Sequence, residues 1–283
     1  MNLQIITVPY DSGVKNMRTG RGPIHFIDRG LERTLEKEGH HVQVSAVDVN
    51  ASFATEIGTT FDIARELADL VRQAVQEGRL PVVLAGNCNS CVGTLAGLGK
   101  RRLGIVWFDA HGDFNTPETT VTGFLDGMGL AMAAGRCWKS LLHTIEGFHP
   151  VGDDCIVHVG SLDLDPAERH LLHTAKIPVL TADPKNENKL LQDLEGVLHG
   201  LRERVDGVYV HLDMDVLDTG PGKPNHLAVP GALPLHVVER AVEAIQTHCQ
   251  IVACTIASYD PVLDERQSVF NAGIRLIKAV VNI

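Results

Sequence analysis

The stretch "GIVWFDAHGDFNTPETT" (residues 104–120) decides how this chain is read. Residues 104–108 are apolar without alternation, as a strand buried on both faces of a parallel sheet is. Asp109, His111 and Asp113 follow, separated only by Ala110 and Gly112. Two carboxylates and an imidazole thus stand at the carboxyl end of a buried strand, where open α/β sheets bind their ligands.

The same pattern recurs on both sides. "LQIITVP" (3–9), "HHVQVSAVDV" (40–49), "LPVVLAG" (80–86), "CIVHVGS" (155–161), "IPVLTA" (177–182), "GVYVHLD" (207–213) and "CQIVACTIAS" (249–258) are further strand candidates. Residues 59–78 carry Phe61, Ile63, Ala64, Leu67, Leu70, Val71, Ala74 and Val75 at helical spacing, with Gly78 as a stop. Residues 164–175, 188–204, 234–247 and 267–281 read as helices between strands. This alternation predicts an α/β fold with a mainly parallel sheet. No Pro/Gly/Ser-rich linker, low-complexity tract or repeat interrupts the chain, so residues 1–283 read as a single domain.

The formal net charge of −10 disfavours nucleic acid and anionic membrane as partners and suits cationic small molecules. Neither a secretory leader pattern nor an apolar run of spanning length is visible, which points to the cytoplasm. Six cysteines scattered over 283 residues are expected to be free thiols rather than a disulfide framework.

A second acidic cluster, "VHLDMDVLD" (210–218), ends another buried strand with Asp213, Asp215 and Asp218. Residues i and i+2 of an extended segment share a face, so Asp109/His111/Asp113 can converge, and so can Asp213/Asp215. Brought together, such carboxylates repel unless cations sit among them. Two divalent ions answer this, and a carboxylate-rich set with some imidazole suits Mn²⁺. A lone D-x-D is ordinarily a turn; two at the ends of two buried strands are not.

The motifs resemble those of the ureohydrolase superfamily (arginase, agmatinase, formiminoglutamase). "DAHGDFNTPETT" is similar to its D-A-H-x-D-x-N-T-P-x-T-T, and "HLDMDVLD" to its D-x-D-x-x-D. "VHVGSLDLDPAE" (157–168), "VPYDSG" with "GRGP" (8–23) and "PGALP" (230–234) extend the likeness over nearly the whole chain. The resemblance implies a three-layer α/β/α domain with two manganese ions, whose bridging hydroxide attacks a guanidinium or amidine carbon. It implies that Asp109 and Asp213 bridge the ions and that His111 and Asp215 bind one of them. Asp113 binds the other and relays the proton.

Three departures bear on chemistry. Where the family has G-G-D-H-S, this chain has "AGNCNSCVG" (85–93), so Cys88 stands in the ligand histidine's place and Asn87 in the aspartate's. Cys88 then reads as a thiolate ligand, as half of a Cys88/Cys91 redox pair, or as a small buried residue. As a ligand it adds negative charge, raising the pKa of metal-bound water. In "TVTGFLDGMG" (120–129), Asp126 takes the place of the arginase proton-shuttle histidine, as a general base or as a turn residue. In "SYDP" (258–261), Ser258 replaces the glutamate that pairs with the guanidinium, which favours a less strongly charged head group.

By the same likeness Asn115 and Thr122 face an α-carboxylate and Asp165 an α-ammonium, with Glu168 beside it; "DPAE" also opens a helix well on its own. The departures are similar to one branch of the family, the N-hydroxyarginine hydrolases of cycloserine biosynthesis, which release hydroxyurea. The expectation is a hydrolase of linear amidines acting on a guanidino- or N-hydroxyguanidino-amino acid. The alternatives are an inactive binder of an amino acid or partner, and a thiol oxidoreductase. His226 is a second candidate shuttle or a loop residue. The family forms several assemblies, and no interface signature here selects a homo-oligomer.

Overall fold

All eight apolar runs form strands, and all lie parallel in one sheet of a computed structural model describing residues 1–49, 55–183, 185–218, 220 and 222–281. In chain order the strands are β1 (Asn2–Val8), β2 (His41–Ala46), β3 (Leu80–Ala85) and β4 (Leu103–Phe108). They continue with β5 (Ile156–Ser161), β6 (Val179–Thr181), β7 (Gly207–Asp213) and β8 (Ile251–Ala257). Their order across the sheet is β2-β1-β3-β8-β7-β4-β5-β6.

Pleating sends alternate side chains to opposite faces, and each face has its own core. Leu80, Val82 and Leu84 join Leu194, Val238 and Leu276 from the helices Glu187–Leu201, Leu235–His248 and Ser268–Val281. Val83 and Ala85 join Phe61, Leu67 and Val71 of the helix Glu56–Gln76 on the other face. Each buried aliphatic or aromatic side chain contributes roughly 1.5–3 kcal/mol. Helices on both faces of a parallel sheet make the expected three layers. Among the described residues, no helix is long and apolar enough to cross a membrane.

The Glu56–Gln76 helix starts three residues before the apolar periodicity does, because Thr55 caps it by accepting from the Gly58 N–H at 3.1 Å. The helices Gly22–Asp28, Leu31–Lys37 and Cys91–Leu98 carry no such signal in the sequence. The last is buried along its whole length and has no polar face to betray its period. Strand β2 departs from the buried pattern because it is an edge strand, with four of its six residues exposed and none buried.

Register decides the site. Phe108 pairs with Leu212, and Ala257 pairs with both Asp213 and Ala85. The carboxyl ends of β3, β8, β7 and β4 therefore lie level and adjacent. Asn87–Cys88, Ser258, Asp213 and Asp109 emerge side by side from four neighbouring strands.

Candidate metal centre and cavity

Asp109 follows β4 directly and is 1% exposed. Its Oδ2 accepts from Trp107 Nε1 at 3.0 Å and its Oδ1 from the His111 N–H at 2.8 Å. Asp213, last in β7, does likewise: its Oδ1 accepts from the Asp215 N–H at 2.8 Å and caps the turn Met214–Val216. The aspartates thus converge through tight turns capped by their own carboxylates, not through the pleat of an extended segment. Asp113 is turned inward by a left-handed backbone, φ +49°. Such a conformation costs a non-glycine residue on the order of 1–3 kcal/mol and persists where surrounding structure holds it.

Two donor trios result. Ligand atoms of Cys88, Asp109 and Asp113 lie within 4.8 Å of one another, and so do those of Asp109, His111 and Asp215. Asp109 belongs to both. His111 Nδ1 is 3.3 Å from Asp215 Oδ2 and 3.5 Å from Asp109 Oδ1. Cys88 Sγ donates to Asp213 Oδ2 at 3.0 Å and lies 3.4 Å from Ser258 Oγ. Asp113 Oδ2 is buried without a hydrogen-bond partner. Asp218 stays outside: it is exposed and accepts from the Gly220 N–H at 3.0 Å.

The electrostatics ask for positive charge. Burial and mutual repulsion push Asp113 and Asp213 well above the carboxylate range, and Asp109 up to about 6. Burial opposes a charge on His111, yet the Asp109 and Asp215 carboxylates outweigh it and raise the imidazole. Burial also opposes charge on Asp215, but its bonds to His111 hold it below its ordinary value. A cation is favoured among these donors, and a divalent metal ion would fit them. Buried carboxylates, an imidazole, a thiol and an orphaned oxygen form a donor set suited to divalent first-row metals.

Supporting contacts come from residues the sequence did not single out. Asn225 Nδ2 donates to Asp215 Oδ2 at 3.0 Å and to the Ser258 carbonyl at 3.3 Å. The Trp107 bond to Asp109 was legible in principle, since i and i−2 share a face of a strand. Nothing in the sequence marks Asn225.

The trios open into a cavity of about 720 Å³, lined also by Asn115, Thr122, Asp126, Asp165, Glu168 and Ser258. Asn115 Nδ2 donates to Asp165 Oδ2 at 3.0 Å, making one polar unit. Thr122 is exposed at the rim, and its Oγ1 accepts from the Phe124 N–H at 3.2 Å. Glu168 is buried, accepting from the Phe114 N–H at 2.8 Å and the Asp165 N–H at 3.3 Å; burial pushes its carboxyl up to about 7. Asp126 accepts from Asn87 Nδ2 at 2.7 Å and the Asn89 N–H at 2.9 Å, so both its oxygens grip the Cys88 turn. Burial raises Asp126 to about 7 against those two bonds. Ser258 has a left-handed backbone, φ +64°. His226 lines the cavity from an exposed position.

Cys88 and Cys91 are free and buried, and Cys91 Sγ donates away to the Gly129 carbonyl at 3.3 Å. Burial pushes both thiols well up. A redox pair needs a depressed pKa and facing sulfurs, whereas burial raises both thiols and Cys91 is bonded away to Gly129.

The model of the arginase family matches residues 1–281. The arginase of Bacillus caldovelox is 29% identical over 288 residues, covering 97% of this chain and 96% of that protein. The crystal structure of Bacillus cereus arginase superposes with a TM-score of 0.88 at 26% identity, over 100% of this chain and 99% of that one. The formimidoylglutamase of Bacillus subtilis shares the fold, with a TM-score of 0.77 at 17% identity, over 99% of this chain and 86% of that one.

Proposed function

The chain belongs to the arginase family, and from that premise we propose that it is a two-metal manganese hydrolase acting on a guanidino- or N-hydroxyguanidino-amino acid. Residues 1–283 act as one arginase-like domain. The observation that carries this reading is the pair of donor trios sharing Asp109. Asp109, His111 and Asp215 would hold one ion, and Cys88, Asp109 and Asp113 the other, with Asp213 reaching the second through its place beside Cys88. Such ions supply a nucleophile from water near neutral pH and a field that stabilises developing negative charge.

The chain's own groups do the rest. Asp113 carries a proton to the leaving nitrogen on whichever of its carboxylate oxygens the ion does not take. Asp126 is a positioning residue: its hold on Asn87 and Asn89 fixes the turn that carries Cys88. Asn115 with Asp165, and Thr122 at the rim, orient the amino-acid end of the substrate. Glu168 supports them by fixing the Phe114 and Asp165 backbone. Ser258 sets a neutral hydroxyl beside Cys88, which supports a head group less strongly charged than a plain guanidinium, such as an N-hydroxyguanidine.

The test is release of urea or hydroxyurea by manganese-loaded protein offered arginine, N-hydroxyarginine, agmatine and formiminoglutamate. The expected result is turnover of an amino-acid substrate, fastest for N-hydroxyarginine. Tight binding with no release from any of them would show an inactive binder instead.

A further inference from the structure

The cavity wall carries ten Asp and Glu side chains and, among its described residues, one Lys or Arg: Arg18. A substrate bearing a carboxylate must enter this field. Asn115 and Thr122 are neutral and partly committed to Asp165 and the Phe124 N–H, so they offer no charge to offset it.

Arg18 is anchored through a buried carboxylate. Its Nη2 donates to Asp11 Oδ1 at 2.9 Å, and Thr19 Oγ1 donates to Asp11 Oδ2 at 3.0 Å. The Asp11 side chain is 6% exposed, whereas that of Arg18 is 51% exposed. One bond to Asp11 leaves most of the five guanidinium N–H donors uncommitted. The backbone at Arg18 is left-handed, φ +40°, a conformation kept only where something holds it. The loop is also docked on the Cys88 turn. Ser12 N–H donates to Asn87 Oδ1 at 2.7 Å, and a Cβ on Gly86 would lie 2.1 Å from the Tyr10 carbonyl oxygen. Asp11 is near enough to Asp126 to help raise its carboxyl.

We propose that Arg18 receives the carboxylate of the amino-acid substrate, with Asp11 and Thr19 fixing its guanidinium. A planar fork on a carboxylate is the strongest hydrogen-bonding pair available to side chains. This rests on the amino-acid reading of the substrate given above. Arg18 is a specificity residue.

The experiment compares wild type, Arg18→Ala, Arg18→Gln and Arg18→Lys as manganese holoenzymes on N-hydroxyarginine and on N-hydroxyagmatine, which lacks the carboxylate. Arg18→Ala should raise KM for the amino acid about ten- to hundredfold, the effect of losing a charged hydrogen bond, and leave kcat nearly unchanged. KM for N-hydroxyagmatine should not rise, and Arg18→Lys should recover part of the loss. Should Arg18→Ala fail to fold, Arg18→Gln carries the comparison at similar size. Equal losses on both substrates, or no loss on either, would overturn the proposal and leave Arg18 as a structural partner of Asp11. If wild type hydrolyses neither compound, the proposed function fails, and calorimetry with ornithine decides the point alone. Binding weakened about tenfold or more in the variants supports Arg18. Equal binding, or none to any of them, refutes it.

Discussion

The two donor trios share Asp109 but are built differently. On the His111 side the carboxylate is tied down: Asp215 accepts from Asn225 Nδ2, from Ala110 N–H at 3.3 Å, and faces the imidazole. The Cys88 side is looser in its bonding and more strained in its backbone. Asp113 Oδ2 has no partner, and Asp113 and Ser258 both adopt left-handed conformations. In the first trio Asp215 is held by two hydrogen bonds and faces the imidazole. The second has an orphaned oxygen and a thiol whose burial disfavours ionisation, so it gains most from a cation. The residues read from the sequence as departures from the resembled motifs, Asn87, Cys88, Asp126 and Ser258, lie together on the other side.

Replacing the shared residue breaks both halves. Asp109→Ala should abolish turnover, by on the order of 10³ or more, because several kcal/mol of electrostatic stabilisation would disappear with the proposed ions. A variant that kept most of its activity would mean that the trios do not act as one centre.

Replacing only the thiol separates the halves. In cobalt-loaded protein, wild type should show a thiolate-to-metal absorption band in the near ultraviolet. Cys88→Ser should lose that band while keeping the His111-side ion, with activity reduced but present. A band that survived in Cys88→Ser would remove Cys88 from the ligand set.

The smallest effect concerns stability away from the ions. Glu168 is pushed up to about 7 by burial, against about 4.3 in an unfolded chain. The folded state then holds this proton more tightly than the unfolded one. Its contribution is full below the unfolded value and is lost as pH rises from about 4.3 to about 7. In chelator-treated protein, Glu168→Gln should flatten the fall in stability across that window, measured by denaturant titration at several pH values. An unchanged slope would place the pH dependence elsewhere.

The legibility of the molecule follows the same division. Asp109 and Asp213 could be read because continuous apolar runs announce parallel strands and ligands gather at their carboxyl ends. Their convergence with His111, Asp113 and Asp215 was also foreseeable, although the route proved to be capped turns instead of strand pleating. Arg18 and Asn225 were illegible because they act from a single short turn of helix and from a loop, segments whose position depends on long-range docking and which carry no periodicity. The Cys91–Leu98 helix was missed because a fully buried helix has no amphipathic signature.

One carboxylate, that of Asp109, is proposed to join two metal sites. Elemental analysis of manganese-loaded protein after exhaustive dialysis tests it most directly. About two equivalents are expected in wild type, about one in Cys88→Ala and in His111→Ala, and almost none in Asp109→Ala. A single equivalent in wild type, unaffected by Cys88→Ala, would contradict it.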